Sequence, residues 1–234
     1  MHAELYFLTT TTKAEKSQAI FRLRNYGVLS YLRILNILKK RYIIYMLFPM
    51  EKFAEDIYSL SFIIDNMGED EINMISKALN SLINYNQQDV RRINHAIKVY
   101  GFAKTISGNE SVAEEIRTVI ELAAVLHDIG IKEAERKYNS SAGKYQEIEG
   151  PPIAERILKE IGIEQTIINR VCYLIGNHHS YNKVDGMDFQ ILIEADFIVN
   201  IDEDSLDITS IKSIKEKYFK TDTGNKIVEA MYGL

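Results

Sequence analysis

Apolar residues return every three or four positions along most of this chain of 234 residues. That spacing is the period of an α-helix that buries one face, and it becomes clear from about Met50 onward. Glycines and polar residues that can cap helices, such as Asp70 and Asp89, separate the periodic segments. Because no stretch after residue 50 alternates as a strand would, we expect an all-α fold, a helical bundle.

The periodic segments predict the order and the approximate bounds of the helices. Residues 138–150 are polar, and Pro151 and Pro152 suit the first turn of a helix, so we expect a loop followed by a helix start. Gly162 would end that helix. The predicted helices cover residues 50–67, 70–82, 90–107, 111–127, 151–161, 164–179, 188–200 and 210–231, with a break in the last near Thr223 and Gly224.

The N-terminal segment differs from the remainder in charge. Residues 1–49 carry eight Lys and Arg against two Glu, a net charge of +6, so a chain with a total of −5 leaves −11 for residues 50–234. Such an asymmetry indicates two parts with different roles. We interpret residues 1–49 as a basic N-terminal extension and residues 50–234 as the helical domain. Whether the extension is ordered, whether it forms a membrane-surface helix and whether Met50 is the true initiator stay open.

The composition excludes several classes of protein. The single cysteine, Cys172, cannot form an internal disulfide, so we expect a reducing compartment, the cytoplasm. The acidic total charge argues against a nucleic-acid polymer as partner. The most apolar segment, residues 27–49, carries four basic residues, and we expect no transmembrane segment. Self-association into a homo-oligomer stays open.

Four of the five histidines lie on helix faces that should be buried. His95 shares a face with Val99, Phe102 and Ile106, at successive spacings of four, three and four, and His127 ends an apolar stripe. His178 and His179 end another such stripe. One histidine on an apolar face is more often a hydrogen-bonded core residue than a ligand. Four of them in one domain make that explanation weaker.

Two aspartates lie on the same predicted faces. Asp128 directly follows His127, and Asp196 lies among apolar residues of the segment 188–200. A buried carboxylate costs on the order of several kcal/mol unless it is paired or bound to a metal ion. Imidazole nitrogens and carboxylate oxygens together suit Mn²⁺, Fe²⁺, Co²⁺, Ni²⁺ or Zn²⁺ better than Ca²⁺. We therefore expect a divalent transition metal, one ion or two, in the centre of the bundle.

The order of these residues resembles the HD-domain superfamily of metal-dependent phosphohydrolases, whose pattern is H…HD…D on an all-helical core. The most specific element is the His-Asp pair that closes an apolar helix before Ile129 and Gly130. The resemblance covers about residues 89–200. It implies a metal-ligand set of His95, His127, Asp128 and Asp196.

In the multinuclear branch of this superfamily, a histidine pair binds a second ion. His178 and His179 match that pair, but residues 145–150 lack the further histidine that multinuclear members place before it. Glu147 or Glu149 could supply an oxygen ligand there, or could simply favour a helix N-terminus. The signatures of the cyclic-di-GMP phosphodiesterases and of the guanosine-tetraphosphate hydrolases are missing at the matching positions, which disfavours both activities.

The resemblance implies hydrolysis of a phosphomonoester or phosphodiester in a nucleotide or another small phosphorylated metabolite. Asp128 would orient the attacking water, and Lys132 would contact the phosphate. Arg91 and Arg92 are further candidates for a phosphate contact, although a solvated surface role explains them as well. Residues 140–144 lack the spacing of a phosphate-binding loop, and we interpret them as an ordinary mobile loop.

Two other interpretations of the chain stay open. A non-catalytic HD module could hold a metal ion and a nucleotide as a sensor, without turnover. An all-α structural or adaptor protein could use the histidines as hydrogen-bonded core residues, and it would bind no metal. Metal analysis separates the last case from the others, and a phosphatase screen separates the enzyme from the sensor.

Overall fold

A computed structural model of the protein describes residues 74–234. The boundary at residue 49, the helix predicted over residues 50–67 and the cap predicted at Asp70 lie outside the described residues. Within residues 74–234 the regular elements are helices, without a strand, and the predicted all-α fold is confirmed. None of these helices combines the length and the apolarity that crossing a membrane requires.

The helices of residues 74–234 follow the predicted order for the most part. Asp89 caps the second of them as predicted, because its side chain accepts the Arg92 N–H at 3.1 Å. Gly162 ends the fifth as predicted, with a left-handed φ of 90°. The helices are α1 (residues 74–86), α2 (Val90–Asn109), α3 (Glu114–Leu126), α4 (Ile131–Tyr138), α5 (Gly143–Ile161), α6 (Gln165–Ile175), α7 (Met187–Glu203), α8 (Ile208–Tyr218) and α9 (Asp222–Tyr232), with a 3₁₀ turn at Tyr181–Lys183.

The helices α3 and α7 form the centre of the fold. Every residue of α3 from Thr118 to Leu126 is buried, and α7 is buried over most of its length. A helix that is covered on all sides belongs to the interior of a domain. Helices α2 and α6 pack on α3, while α2, α8, α9 and α3 surround α7. Polar side chains on or next to these two helices are therefore held in the core.

Two predicted helices end earlier than expected. The structure ends α3 at Leu126 and α6 at Ile175, so the predicted ends at His127 and His179 are wrong. The His-Asp pair and the His-His pair consequently lie in turns that follow a helix, not on the helices themselves.

Two imidazoles explain these helix ends. His127 Nδ1 donates to Ala124 O at 2.9 Å, and His178 Nδ1 donates to Ile175 O at 2.7 Å. Each ring thus donates a hydrogen bond to a carbonyl of the last helical turn, where carbonyls lack an intrahelical partner. The same side chains that end the helices are held in fixed positions by doing so.

The largest departure from the predicted fold concerns α5. This helix begins at Gly143 and contains Pro151 and Pro152 in its interior, so the predicted loop over residues 138–150 and the predicted helix start at the prolines are wrong. An interior proline removes a hydrogen bond and costs about 3 kcal/mol or more. That cost is why the sequence pattern favours a helix start at this point.

Contacts with neighbouring elements hold the first half of α5 in helical form. Glu147 Oε1 accepts the His179 N–H at 3.1 Å. Gly130, at the start of α4, lies so close to α5 that an added Cβ would be 2.6 Å from Gly150 N and from Gln146 O. Only a residue without a side chain permits this approach. Tertiary packing therefore outweighs the local cost of the prolines.

The C-terminal segment forms two helices, but its break lies at residues 219–221, and the predicted break at Thr223 and Gly224 is wrong. Thr221 determines the position, because its Oγ1 accepts the Gly224 N–H at 2.9 Å and so caps α9. The buried carboxylate of Glu194 accepts the Thr221 N–H at 2.9 Å. This bond fixes the break against α7.

Gly130→Ala tests the close approach of α4 to α5. We expect it to lower the free energy of unfolding by about 1–3 kcal/mol, the range for overpacking, because the new Cβ would meet backbone atoms. Gly101→Ala is the matched control: it lies in the exposed interior of α2 with nothing within 4 Å of the added Cβ, so stability should rise by about 0.5–1 kcal/mol. Urea unfolding followed by circular dichroism measures both. Equal effects of the two variants would contradict the close approach.

Candidate metal centre

Four side chains converge in the core from α2, from α7 and from the turn after α3. His95 Nε2 lies 3.2 Å from both His127 Nε2 and Asp196 Oδ1. Asp128 Oδ2 lies 3.5 Å from each of the two imidazole Nε2 atoms. We call these four residues the central cluster. They are the residues that the sequence resemblance implies as ligands, and the fold brings all four together.

The hydrogen-bond partners of Nδ1 in His127 and His95 determine which ring atoms offer a lone pair to the central cluster. His127 Nδ1 donates to the Ala124 carbonyl, and His95 Nδ1 lies 3.2 Å from Glu203 Oε2. Because carbonyl and carboxylate oxygens only accept, Nδ1 carries the hydrogen in both rings, and Nε2 of the neutral ring offers a lone pair. When both rings are neutral, the central cluster therefore presents two nitrogen lone pairs and two carboxylates to one another.

Such a set of acceptors favours a cation. Burial alone would lower the pKa of His127, but the charges of Asp128 and Asp196 outweigh it and raise this pKa to about 9. Burial would raise the pKa of Asp128, yet His127 and His178 lower it to about 2. Hydrogen bonds from His127 and His95 outweigh burial at Asp196 and hold its pKa far below the ordinary value. In the metal-free protein a proton on His127 thus balances the two carboxylates. A divalent ion bound there would satisfy the same groups.

His178 supplies an independent sign of a cation site. Its side chain is buried, and within residues 74–234 its Nε2 has no hydrogen-bond partner. Nδ1 carries the hydrogen that is donated to Ile175, so Nε2 of the neutral ring is an acceptor, and it lies 3.5 Å from Asp128 Oδ1. The chemistry of these donor atoms fits a metal ion. In the part of the chain that the structure describes, two groups have ligand atoms within 4.8 Å of one another: His95, His127 and Asp128, and a second group of Asp128, His178 and His179.

The glutamate predicted for a second ion lies next to the histidine pair but has other partners. Glu147 Oε1 accepts the His179 N–H, and its Oε2 accepts the Ser180 hydroxyl at 3.3 Å. The His179 ring instead has Gln146 beside it, with 3.2 Å between Nε2 and Oε1. Burial and the neighbouring His178 lower the pKa of His179 to about 4, so this ring is neutral at pH 7.

Three residues that hydrogen-bond to the candidate ligands were missed in the sequence. Glu203 holds His95, and Asn200 Nδ2 donates to Asp196 Oδ1 at 2.9 Å. A signal existed for these two, because Asp196, Asn200 and Glu203 follow one another at spacings of four and three, which is one face of a helix. The third, Gln146, lies in a segment that the sequence pattern assigns to a loop.

The predicted phosphate contacts have partners outside the two groups. Lys132 is exposed, and its Nζ donates to Tyr85 O at 2.8 Å. Arg92 forms ion pairs with Asp89 and Glu135, at 3.0 and 2.6 Å. Its neighbour Arg91 is exposed. Within residues 74–234, the hydrogen bonds and ion pairs of these cations do not include a residue of the central cluster.

Two further residues from the sequence analysis have definite places. Glu149 accepts from the Tyr138 hydroxyl at 2.9 Å and pairs with Lys137, so its carboxylate fixes α4 to α5. Gly143, in the segment interpreted as a mobile loop, begins α5 against the His179 ring, where an added Cβ would lie 2.5 Å from Cδ2. The start of α5 is thus part of the surroundings of the histidine pair.

Binding of Mn²⁺ to the central cluster at pH 7 should release at least about one proton per ion, because the pKa values of His127 and His95 are both raised above the ordinary value. His127, with a pKa of about 9, is protonated at that pH and has to become neutral to offer Nε2, whereas Asp128, with a pKa of about 2, is already ionised. Affinity should therefore rise with pH until His127 has lost its proton. Calorimetric titrations in buffers of different ionisation enthalpy measure the release. An identical heat in every buffer would be inconsistent with it.

Comparison with known protein families identifies the part of the chain that carries both groups. A family model described as HD domain matches residues 92–203, which span the chain from α2 through α7. Searches of curated proteins and of solved structures each return no match. The matched segment contains every residue of the central cluster and of the second group. The chain thus carries an HD domain over residues 92–203.

Proposed function

We propose that this chain is a metal-dependent phosphohydrolase that acts, as a phosphomonoesterase or phosphodiesterase, on a nucleotide or another small phosphorylated metabolite. The observation that carries the proposal is the central cluster, where two imidazole lone pairs and two carboxylates face one another in the core. The HD-domain match supports it, since this superfamily consists generally of metal-dependent hydrolases.

The proposed ligands of the first ion are the four residues of the central cluster, and those of a second ion are Asp128, His178 and His179. Mixed nitrogen and oxygen ligands favour Mn²⁺, Fe²⁺, Co²⁺, Ni²⁺ or Zn²⁺. When bound, such an ion supplies Lewis-acid stabilisation of phosphoryl oxygens and a water of lowered pKa.

Asp128 is the member of the central cluster best suited to act on water. Its side chain is 20% exposed, against 1% for His127, so solvent reaches this edge of the cluster. Its two oxygens face different partners, Oδ2 towards His95 and His127, and Oδ1 towards His178. An ionised carboxylate in this position would orient a water molecule for attack and accept its hydrogen bond.

Lys132 stays a proposed phosphate contact. Its Nζ donates to a backbone carbonyl of Tyr85, a bond that does not neutralise its charge. The side chain is exposed and keeps the positive charge that attracts a phosphate. The proposal for Lys132 rests on its place one turn after the His-Asp pair and is independent of the metal ligands.

The setting of the domain is proposed from the sequence. We assign residues 50–234 to the helical domain and residues 1–49 to a basic extension, around the matched segment 92–203. The single cysteine favours a reducing compartment, the cytoplasm. The acidic charge favours small phosphorylated substrates over a nucleic-acid polymer.

Asp128→Asn should lower phosphate release by at least about 100-fold, because the amide can neither carry the charge that the cluster requires nor act on water as a carboxylate does. The assay is a panel of nucleotides, dinucleotides and sugar phosphates with Mn²⁺, Ni²⁺ or Co²⁺. Asp204→Asn, at the exposed C-terminal end of α7, is the matched control and should keep full activity. Full activity of the Asp128 variant would contradict the proposal.

The same experiment separates the other interpretations. Protein that binds Mn²⁺ and a nucleotide without turnover of any compound in the panel would favour the sensor. Protein purified without chelator that contains no transition metal, and that takes up none, would favour a structural role for the histidines.

A further inference from the structure

The first turn of α5 presents one face to His179. Gln146 and Glu147 lie three and four positions after Gly143, so the three residues share one side of the helix. Each of them contacts His179, and each contact is of a different kind. We call these three residues the α5 platform.

Two members of the α5 platform fix the backbone and the distance of His179. Glu147 accepts the His179 N–H at 3.1 Å, which holds the turn after α6 against α5. Gly143 lies against the imidazole, and an added Cβ would be 2.5 Å from Cδ2 and 2.7 Å from Cγ. The side of the ring that carries Cδ2 therefore faces α5 closely.

The third member, Gln146, has an amide group whose orientation follows from its partners. It is buried, and one end of the amide lies 2.7 Å from the Ser141 carbonyl oxygen. A carbonyl only accepts, so that end is the NH₂ group and the other end is Oε1. Oε1 lies 3.2 Å from His179 Nε2. Two acceptors cannot bond to each other, so His179 Nε2 carries a hydrogen.

This arrangement is the reverse of that in the other histidines. His127 and His178 donate from Nδ1 to a carbonyl and offer Nε2 as the acceptor. His179 donates from Nε2, so its lone pair is on Nδ1, the nitrogen on the side of the ring away from Cδ2. The ligand atoms of His179, His178 and Asp128 lie within 4.8 Å of one another.

We propose that Gln146 is a positioning residue, which holds His179 as the Nε2–H tautomer so that Nδ1 is the atom offered to a second divalent ion beside His178 and Asp128. This inference rests on the proposed function for the use of the second ion, while the tautomer itself is a property of the metal-free protein. A partner on the outer nitrogen orients the ring and raises its basicity as a ligand.

Three variants of the full chain test the role of Gln146. Gln146→Leu keeps the size of the side chain but removes the acceptor, and Gln146→Glu restores an acceptor opposite Nε2. Gln165→Leu, at an exposed position in α6, is the matched control. Circular dichroism and thermal unfolding report whether each variant is folded.

The first measurement is ¹⁵N NMR of the imidazoles in the metal-free protein at pH 7. We expect His179 to carry its hydrogen on Nε2 in the wild type, in the Gln146→Glu protein and in the Gln165→Leu protein, with an Nε2–H proton slow enough in exchange to be observed. That proton signal should be lost in Gln146→Leu. A hydrogen on Nδ1 of His179 in the wild type, or an unchanged signal in Gln146→Leu, would overturn the proposal.

The second measurement is Mn²⁺ binding by calorimetry. Loss of an outer partner of a ligand histidine typically weakens metal affinity by about 10–100-fold. We expect Gln146→Leu to weaken the second binding step by this factor and to leave the first unchanged, with Gln146→Glu closer to the wild type. Equal weakening of both steps, or of neither, would contradict a specific action on His179.

These readouts do not depend on turnover. If the NMR and binding results are as expected while no phosphorylated compound is hydrolysed, the proposed function fails and the role of Gln146 stands. If hydrolysis depends on Asp128 but the tautomer is the reverse, only the role of Gln146 fails.

Discussion

The structure depends on the burial of two carboxylates and several imidazole acceptors in one place. Their lone pairs and negative charges repel one another in a medium that screens weakly, and a cation is required to balance them. Without a metal, Asp128 and Asp196 raise the pKa of His127 to about 9, so the ring keeps its proton at pH 7. The two carboxylates thus strongly favour a positive charge beside them. Three of the four cluster residues lie on the buried helix α7 or directly after the buried helix α3, and His95, His127 and Asp196 are themselves buried from water.

The imidazoles of His127 and His178 are positioned in the same way. His127 and His178 each follow a helix, and each bonds through Nδ1 to a carbonyl of the last turn. The bond ends the helix and also directs Nε2 inward, so the end of a secondary-structure element and the geometry of a ligand have the same cause. His95 has no helix end to use, and a carboxylate from α7 holds it instead.

Apolar spacing predicted the helices, and polar residues on apolar stripes pointed to four histidines and two aspartates, from which the family resemblance selected the four cluster residues. The interior prolines of α5 could not be anticipated, since the contacts that hold this helix come from elements distant in sequence. The local pattern around Gln146 resembles a loop for the same reason. Glu203 was within reach, because its spacing from Asp196 places it on the same helical face.

The bond between His95 and Glu203 joins residues that are 108 positions apart. While the chain is being synthesised, the segment with His95 leaves the ribosome long before α7 exists. During that interval the ring has neither its acceptor nor Asp196 beside it. The nascent chain therefore cannot assemble the complete set of donors, and any ion that the full set binds can be acquired only after translation of α7.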